Sequence, residues 1–187
     1  MNWIFVIVPG LIWGASFLFI AEGLQAVAPM GVTFFRIAIG FATLALVPAA
    51  RRPIARDDRL PTAALGVLWL AFPLSMFPFA EQHVSSALAG MLNGATPLFA
   101  AFVAAGLTRT APSRRVTIGL AVGFCGTIAI AWPGLRNSGG VSGQASGVLM
   151  ILSACVSYAF AYSAAGPLQQ RNGALRSSGA RKPSRWC

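Results

Sequence analysis

Acid–base chemistry is what this chain is poorest in. Among 187 residues it has four acids and a single histidine. Glu22, Asp57, Asp58 and Glu81 fall at the ends of apolar stretches or in a loop. No carboxylate pair therefore lies deep in an apolar region where it could exchange protons with a bound substrate. Glu81 and His83 are close in sequence, yet a solvated helix end accounts for them better than a catalytic pair does. The three cysteines, Cys125, Cys155 and Cys187, have no metal-ligand spacing and make no disulfide framework; they read as small apolar fillers and a stray thiol. A glycine-rich phosphate loop is missing as well, so no nucleotide is expected to power the protein. These gaps argue against an enzyme and against any cofactor or metal. Charge is scarce altogether, at 10% of residues against roughly a quarter in soluble domains.

What is present is oil. The chain is 56% hydrophobic, and the apolar residues gather into six stretches: about Trp3–Ala21, Met30–Pro48, Thr62–Ala80, Ala87–Leu107, Val116–Trp132 and Gly147–Ala165. Each approaches the roughly 20 residues that a membrane-spanning helix needs, whereas barrel strands would be about ten residues long and alternate in polarity. The expected fold is thus an all-α transmembrane bundle of about six spanning helices. The basic residues support it. Arg51, Arg52, Arg56 and Arg59 occupy the second gap, Arg109, Arg114 and Arg115 the fourth, and Arg171, Arg176, Arg181, Lys182 and Arg185 the tail. The first and third gaps have none and the fifth has only Arg136. Cytoplasmic loops collect Lys and Arg, which places the N-terminus in the cytoplasm of a multi-pass inner-membrane protein. The net charge of +10 therefore reads as topology and contact with anionic lipid head groups. No aromatic residues interleave with it, so nucleic acid is not an expected partner. Ala26-Val27-Ala28 resembles a signal-peptide cleavage site, but Met1-Asn2 supplies no positive leader and cleavage is not expected.

Polar and small residues inside the stretches are the remaining candidates. In the fourth stretch Ser86, Gly90, Asn93 and Pro97 fall within about 60° of one another on a helix. Such a stripe can line a cavity, and Gly90 with Gly94 can equally serve helix packing; Asn93 favours the cavity, because polar side chains at membrane depth face the protein interior. Gly10 with Gly14, and Gly119 with Gly123, share the small-residue spacing and read as packing pairs. Trp13, Ser16, Phe17 and Ile20 share one face of the first helix and suit either a pocket or a packed core. Arg36 is the one basic residue inside a stretch, roughly 10 Å from its outer end. It can snorkel outward, meet Glu22 or Glu81, or face a cavity and attract an anionic group. Pro73 and Pro78 free the carbonyls four residues back, on Trp69 and Leu74, and should kink the third helix. Ser85 or Ser86 can cap the fourth.

Several of these residues together resemble a family. Trp13-Gly14-Ala15-Ser16-Phe17, Pro29 followed by Arg36, Ser86-Ala87 leading to Pro97-Leu98, and Gly119, Gly123 and Gly126 with Trp132-Pro133-Gly134 resemble, in order and spacing, the EamA-type carriers of the drug/metabolite transporter superfamily. The resemblance covers about residues 3–134, one five-helix EamA repeat. It implies a small-molecule solute carrier of the metabolite or drug exporter type, working by alternating access between two inverted five-helix halves. Residues 147–165 then form a sixth transmembrane helix, like the first of a second repeat, and residues 166–187 a disordered basic cytoplasmic tail or a shifted reading frame. On this reading the chain is a truncated or half-length carrier. A homodimer would rebuild two halves; the alternative is a non-transporting membrane protein that packs with or regulates a partner. The expected substrate pathway is Trp13, Ser16, Arg36, Asn93 and Pro97.

Overall fold

The computed structural model describes residues 3–48, 56–109, 112–136 and 143–172. Among them the regular structure is entirely helical. Helix α1 spans Ile4–Ala26 and α2 spans Pro29–Ala45. A short 3-10 turn, Arg56–Asp58, leads into α3 (Arg59–Gly66), a π-helical turn (Val67–Ala71) and α4 (Phe72–Ala80), which form one continuous third rod. The fourth rod comprises α5 (Ser86–Asn93) and α6 (Thr96–Thr108). Helix α7 covers Arg114–Arg136 and α8 covers Gln144–Asn172. The six expected rods are therefore present. Four of them, at Ile7–Ala26, Arg56–Ala80, Ser86–Thr108 and Gln144–Gly166, are long and apolar enough to cross a bilayer. Helix α2, with 17 residues, reaches only about 25 Å. The basic positions 51 and 52 and the tail from 173 onward lie outside the described residues, as does most of the glycine- and serine-rich segment 137–146.

Element ends follow local chemistry. Pro29 opens α2, where a missing N–H costs nothing. Helix α1 continues to Ala26 before Val27-Ala28 turns the chain, so the first connection is shorter than the apolar pattern suggests. Ser85 caps α5, its Oγ accepting from the Leu88 N–H at 3.3 Å. The fourth rod is not one helix: it breaks at Gly94-Ala95, where Pro97 has no N–H for the Asn93 carbonyl and Thr96 Oγ1 donates to that oxygen instead, at 2.8 Å. Helix α7 runs through Pro133 to Arg136, past the expected end at Trp132-Pro133-Gly134. Helix α8 runs to Asn172, past the expected end near Ala165.

Helix α8 is the centre of the bundle and packs chiefly against α4 and α6. Its alanines make that possible: Ala154, Ala159 and Ala161 are completely buried. At its N-terminal end Gly147 is pressed onto the α4–α5 turn. A Cβ there would stand 3.0 Å from the Ala80 carbonyl oxygen and 2.9 Å from Val84 Cγ1. The core around α8 draws Phe17 and Ile20 from α1, Phe77 from α4 and Leu92 from α5. Large apolar side chains elsewhere stay exposed, among them Phe5 and Phe19 on α1 and Phe34 and Phe41 on α2. A protein surrounded by water would bury them; one surrounded by lipid has no reason to.

Candidate functional site

Between α1, α2, the third rod and α8 lies a cavity of about 470 Å³, walled by Pro9, Ile12, Trp13 and Phe17 of α1, by Trp69, Leu70, Leu74 and Phe77, and by Tyr158 of α8. Its polar positions on α1 and α2 are Ser16 and Arg36. Arg36 Nη2 donates to Ser16 Oγ at 2.8 Å. Arg36 Nη1 is buried with no hydrogen-bond partner among the described residues. A buried cationic donor left open is costly in an apolar site, so this atom is where an acceptor gains most. A second groove of about 760 Å³ between α1 and α2 also touches Ser16 and Arg36, with apolar walls that include Phe19, Ile20 and Ile39. Arg36 thus borders both spaces.

The walls are held by hydrogen bonds that the prolines make necessary. Pro78 cannot bond the Leu74 carbonyl, and Thr33 Oγ1 of α2 donates to it instead, at 3.2 Å. Pro73 was expected to orphan Trp69. The π turn changes this: its wider register has Phe72 N–H bonding the Val67 carbonyl, so the next carbonyl without a donor is that of Leu68. Ser157 Oγ of α8 donates to it at 2.8 Å. The turn also leaves Trp69 and Leu70 on the cavity wall. Aromatic edges and faces complete that wall. Phe17 meets Phe77 edge-on at 5.3 Å, Trp13 meets Tyr158 edge-on at 6.4 Å, and Phe77 stacks on Tyr158 at 6.3 Å.

Of the expected pathway residues, Trp13, Ser16 and Arg36 come together here. Asn93 and Pro97 do not. The break at Gly94-Ala95 parts the expected stripe: Ser86, Gly90 and Asn93 line one groove with Gly10, Trp13 and Gly14, whereas Pro97 lines another with Asn93, Thr96, Trp13, Tyr158 and Tyr162. Asn93 belongs to both, and its Oδ1 accepts from Thr96 Oγ1 at 3.3 Å. Trp13 borders both of these grooves and the cavity, though not the groove between α1 and α2. Among the glycines, Gly90 lies against Phe17 and Gly123 against Leu98, where a Cβ would come within 2.8 Å of Leu98 Cδ2. Gly94 is crowded by its own Met91 carbonyl. Added Cβ atoms at Gly10, Gly14 and Gly119 would meet nothing within 4 Å.

The acids separate. Glu22 is exposed and accepts from Gln25 Nε2 at 3.2 Å. Glu81, at the end of α4, is half-buried, and both its carboxylate oxygens are buried without a hydrogen-bond partner among the described residues. Burial pushes its carboxyl up to about 7, against the opposing pull of the Arg36 charge. Residue patterns read Glu81 as a helix end and as one possible partner for Arg36. Tyr158, Trp69 and Ser157 were missed as site residues; Ser153, Ser157, Tyr158, Tyr162 and Ser163 make the sixth stretch unusually polar, a visible trace of two of them.

The model of the EamA-like transporter family matches residues 2–132. Relatives in Escherichia coli strains K12, O6:H1 and O157:H7, each called uncharacterized inner membrane transporter YedA, are 30% identical over 155 residues. The match takes in 80% of this chain and 48% of each relative. The chain thus spans about half the length of the curated relatives it matches. No solved structure matches it.

Proposed function

The chain belongs to the EamA-like transporter family, and on that premise we propose that it carries a small amphipathic solute, of the kind that exporters of metabolites and drugs handle, through the cavity between α1, α2, α4 and α8. The observation that carries this reading is Arg36: a half-buried cation, tethered to Ser16, with one donor unmet among the described residues beside an aromatic wall. An anionic group would take that donor, and Trp13, Trp69, Phe77 and Tyr158 would take the apolar body. Asn93 and Pro97 would extend the path where Trp13 separates the grooves. Gly10, Gly14, Gly94 and Gly119 would serve contacts with a further half, and Gly90 and Gly123 those within this one. The orientation that fits is N-terminus inside, with the arginine-rich loops against anionic head groups. Alternating access needs two inverted halves, and a homodimer would supply them only with its second copy inserted in the opposite orientation.

Flux in proteoliposomes tests it. The purified chain should pass an apolar carboxylate such as labelled benzoate, and Arg36→Gln should lower that flux by about tenfold or more, the cost of losing a charged hydrogen bond. Asn93→Leu should lower flux several-fold while membrane yield stays unchanged; equal loss of both would assign Asn93 to folding. The second reading is a packing or regulatory membrane protein. A folded chain that passes no solute under any gradient supports it.

A further inference from the structure

The first two helices stand like an A-frame. They meet beside the Val27-Ala28 turn, where a Cβ on Gly23 would stand 3.4 Å from Val32 Cγ2, and they part away from it, where a Cβ on Gly40 would meet nothing within 4 Å. The space between them is the groove of about 760 Å³, and it shares Ile12, Ser16 and Arg36 with the cavity of about 470 Å³. We propose that this groove is a lateral entrance to the solute site: it holds the alkyl chain of a single-chain carboxylic acid arriving from the lipid, while the carboxylate meets Arg36. This rests on the reading of Arg36 as the group that recognises the solute's anion.

The walls of the groove select its occupant. Apart from Ser16 and Arg36 they are apolar. Leu11, Phe19 and Ile39 are exposed, so the walls continue the lipid-facing surface of α1 and α2. Ala15 and Gly40, small residues on the two helices, leave width for a chain. An alkyl chain lying there exchanges lipid contacts for equally apolar ones, so its transfer costs little. The charged end is what lipid cannot satisfy. Arg36 Nη2 is held by Ser16, and Nη1 has no hydrogen-bond partner among the described residues; a carboxylate supplies acceptors for such a cation. Depth selects the head group. Arg36 lies seven residues after Pro29 in a helix of 17 residues, about 10 Å along its axis. A phospholipid phosphate, anchored at the interface by its glycerol and two chains, would have to be drawn that far into the hydrocarbon. A single-chain acid is free to slide along the groove to that depth. The groove thereby widens the class of solute, from compact acids that fit the cavity to acids whose chain stays between α1 and α2.

Photolabelling of the full chain in lipid nanodiscs tests the proposal without needing transport. The probe is decanoate carrying a diazirine at mid-chain, and mass spectrometry locates its adducts. They should fall on the groove walls, at Leu11, Ala15 or Ile39. Excess benzoate, which competes for Arg36, should remove them, and Arg36→Gln should lower them by about tenfold. Gly40→Phe fills the groove from a position with open space around it. It should lower the adducts as far, while benzoate binding, followed by tryptophan fluorescence, stays at the wild-type level. Groove adducts that survive both benzoate and Arg36→Gln would be ordinary lipid contact and overturn the proposal. So does a groove left unlabelled while benzoate binds, although the anion-site reading would then stand. A Leu11→Cys crosslink to a second copy would show the groove covered by protein and overturn it too. If benzoate fails to bind, the anion-site reading falls and takes the proposal with it. Should Arg36→Gln fail to insert, benzoate competition in wild type and the Gly40→Phe variant decide.

Discussion

At the scale of single residues, the site is made of groups denied their usual partners. Among the described residues, Arg36 spends one donor on Ser16 and leaves another unmet, and Glu81 leaves both oxygens bare. Such groups cost stability, and the cost depends on pH. The folded Glu81 titrates near 7, above the usual carboxylate value of 4.5. The sign follows: the folded state holds this proton more firmly than the unfolded state, so the associated stability is intact below about pH 4.5 and is lost as pH rises through about 7. Glu81→Gln removes that loss. Its melting temperature should match wild type near pH 5 and exceed it at pH 8, as thermal unfolding in detergent will record. An equal difference at both pH values would mean that Glu81 is not the titrating group.

At the scale of elements, the third rod holds the instructive case. Two prolines in an apolar helix announce two orphaned carbonyls, and that much is legible in the residues. Which carbonyls, and what meets them, is not. The π turn moves the first orphan from Trp69 to Leu68, and its partner Ser157 lies far along the chain. Periodicity describes one helix at a time; it cannot say which serine of a later helix will face a given carbonyl. The same limit hid Tyr158 and Trp69, whereas Ser16 could be chosen from the helix face it shares with Trp13, and Arg36 from its depth. The stripe through Pro97 failed for the opposite reason. It assumed an unbroken helix where a proline made a break. A double-mutant cycle tests the account of the π turn. Ser157→Ala should cost about 1–3 kcal/mol, the penalty of an unmet buried acceptor. In a Pro73→Ala background the new N–H can bond Leu68, and the same change should cost much less. Additive losses would show that Ser157 does not replace the missing proline donor.

At the scale of the whole molecule, apolar rods with basic connections specify a bundle before any contact is known. The placement of α8 at its centre was not legible, because small residues such as Ala154 and Ala159 signal close packing without naming the neighbour. Everything about the carrier depends on the rods crossing a bilayer with the arginine-rich connections in the cytoplasm. Orientation decides whether Glu81 meets the outer phase and whether a second half must insert upside down. It can be measured directly. In a background with Cys125, Cys155 and Cys187 replaced, single cysteines at Asp57, His83 and Arg114 can be exposed to a membrane-impermeant maleimide. Intact cells should label His83→Cys at once, and Asp57→Cys and Arg114→Cys only after permeabilisation. Labelling of position 57 or 114 in intact cells would contradict the account.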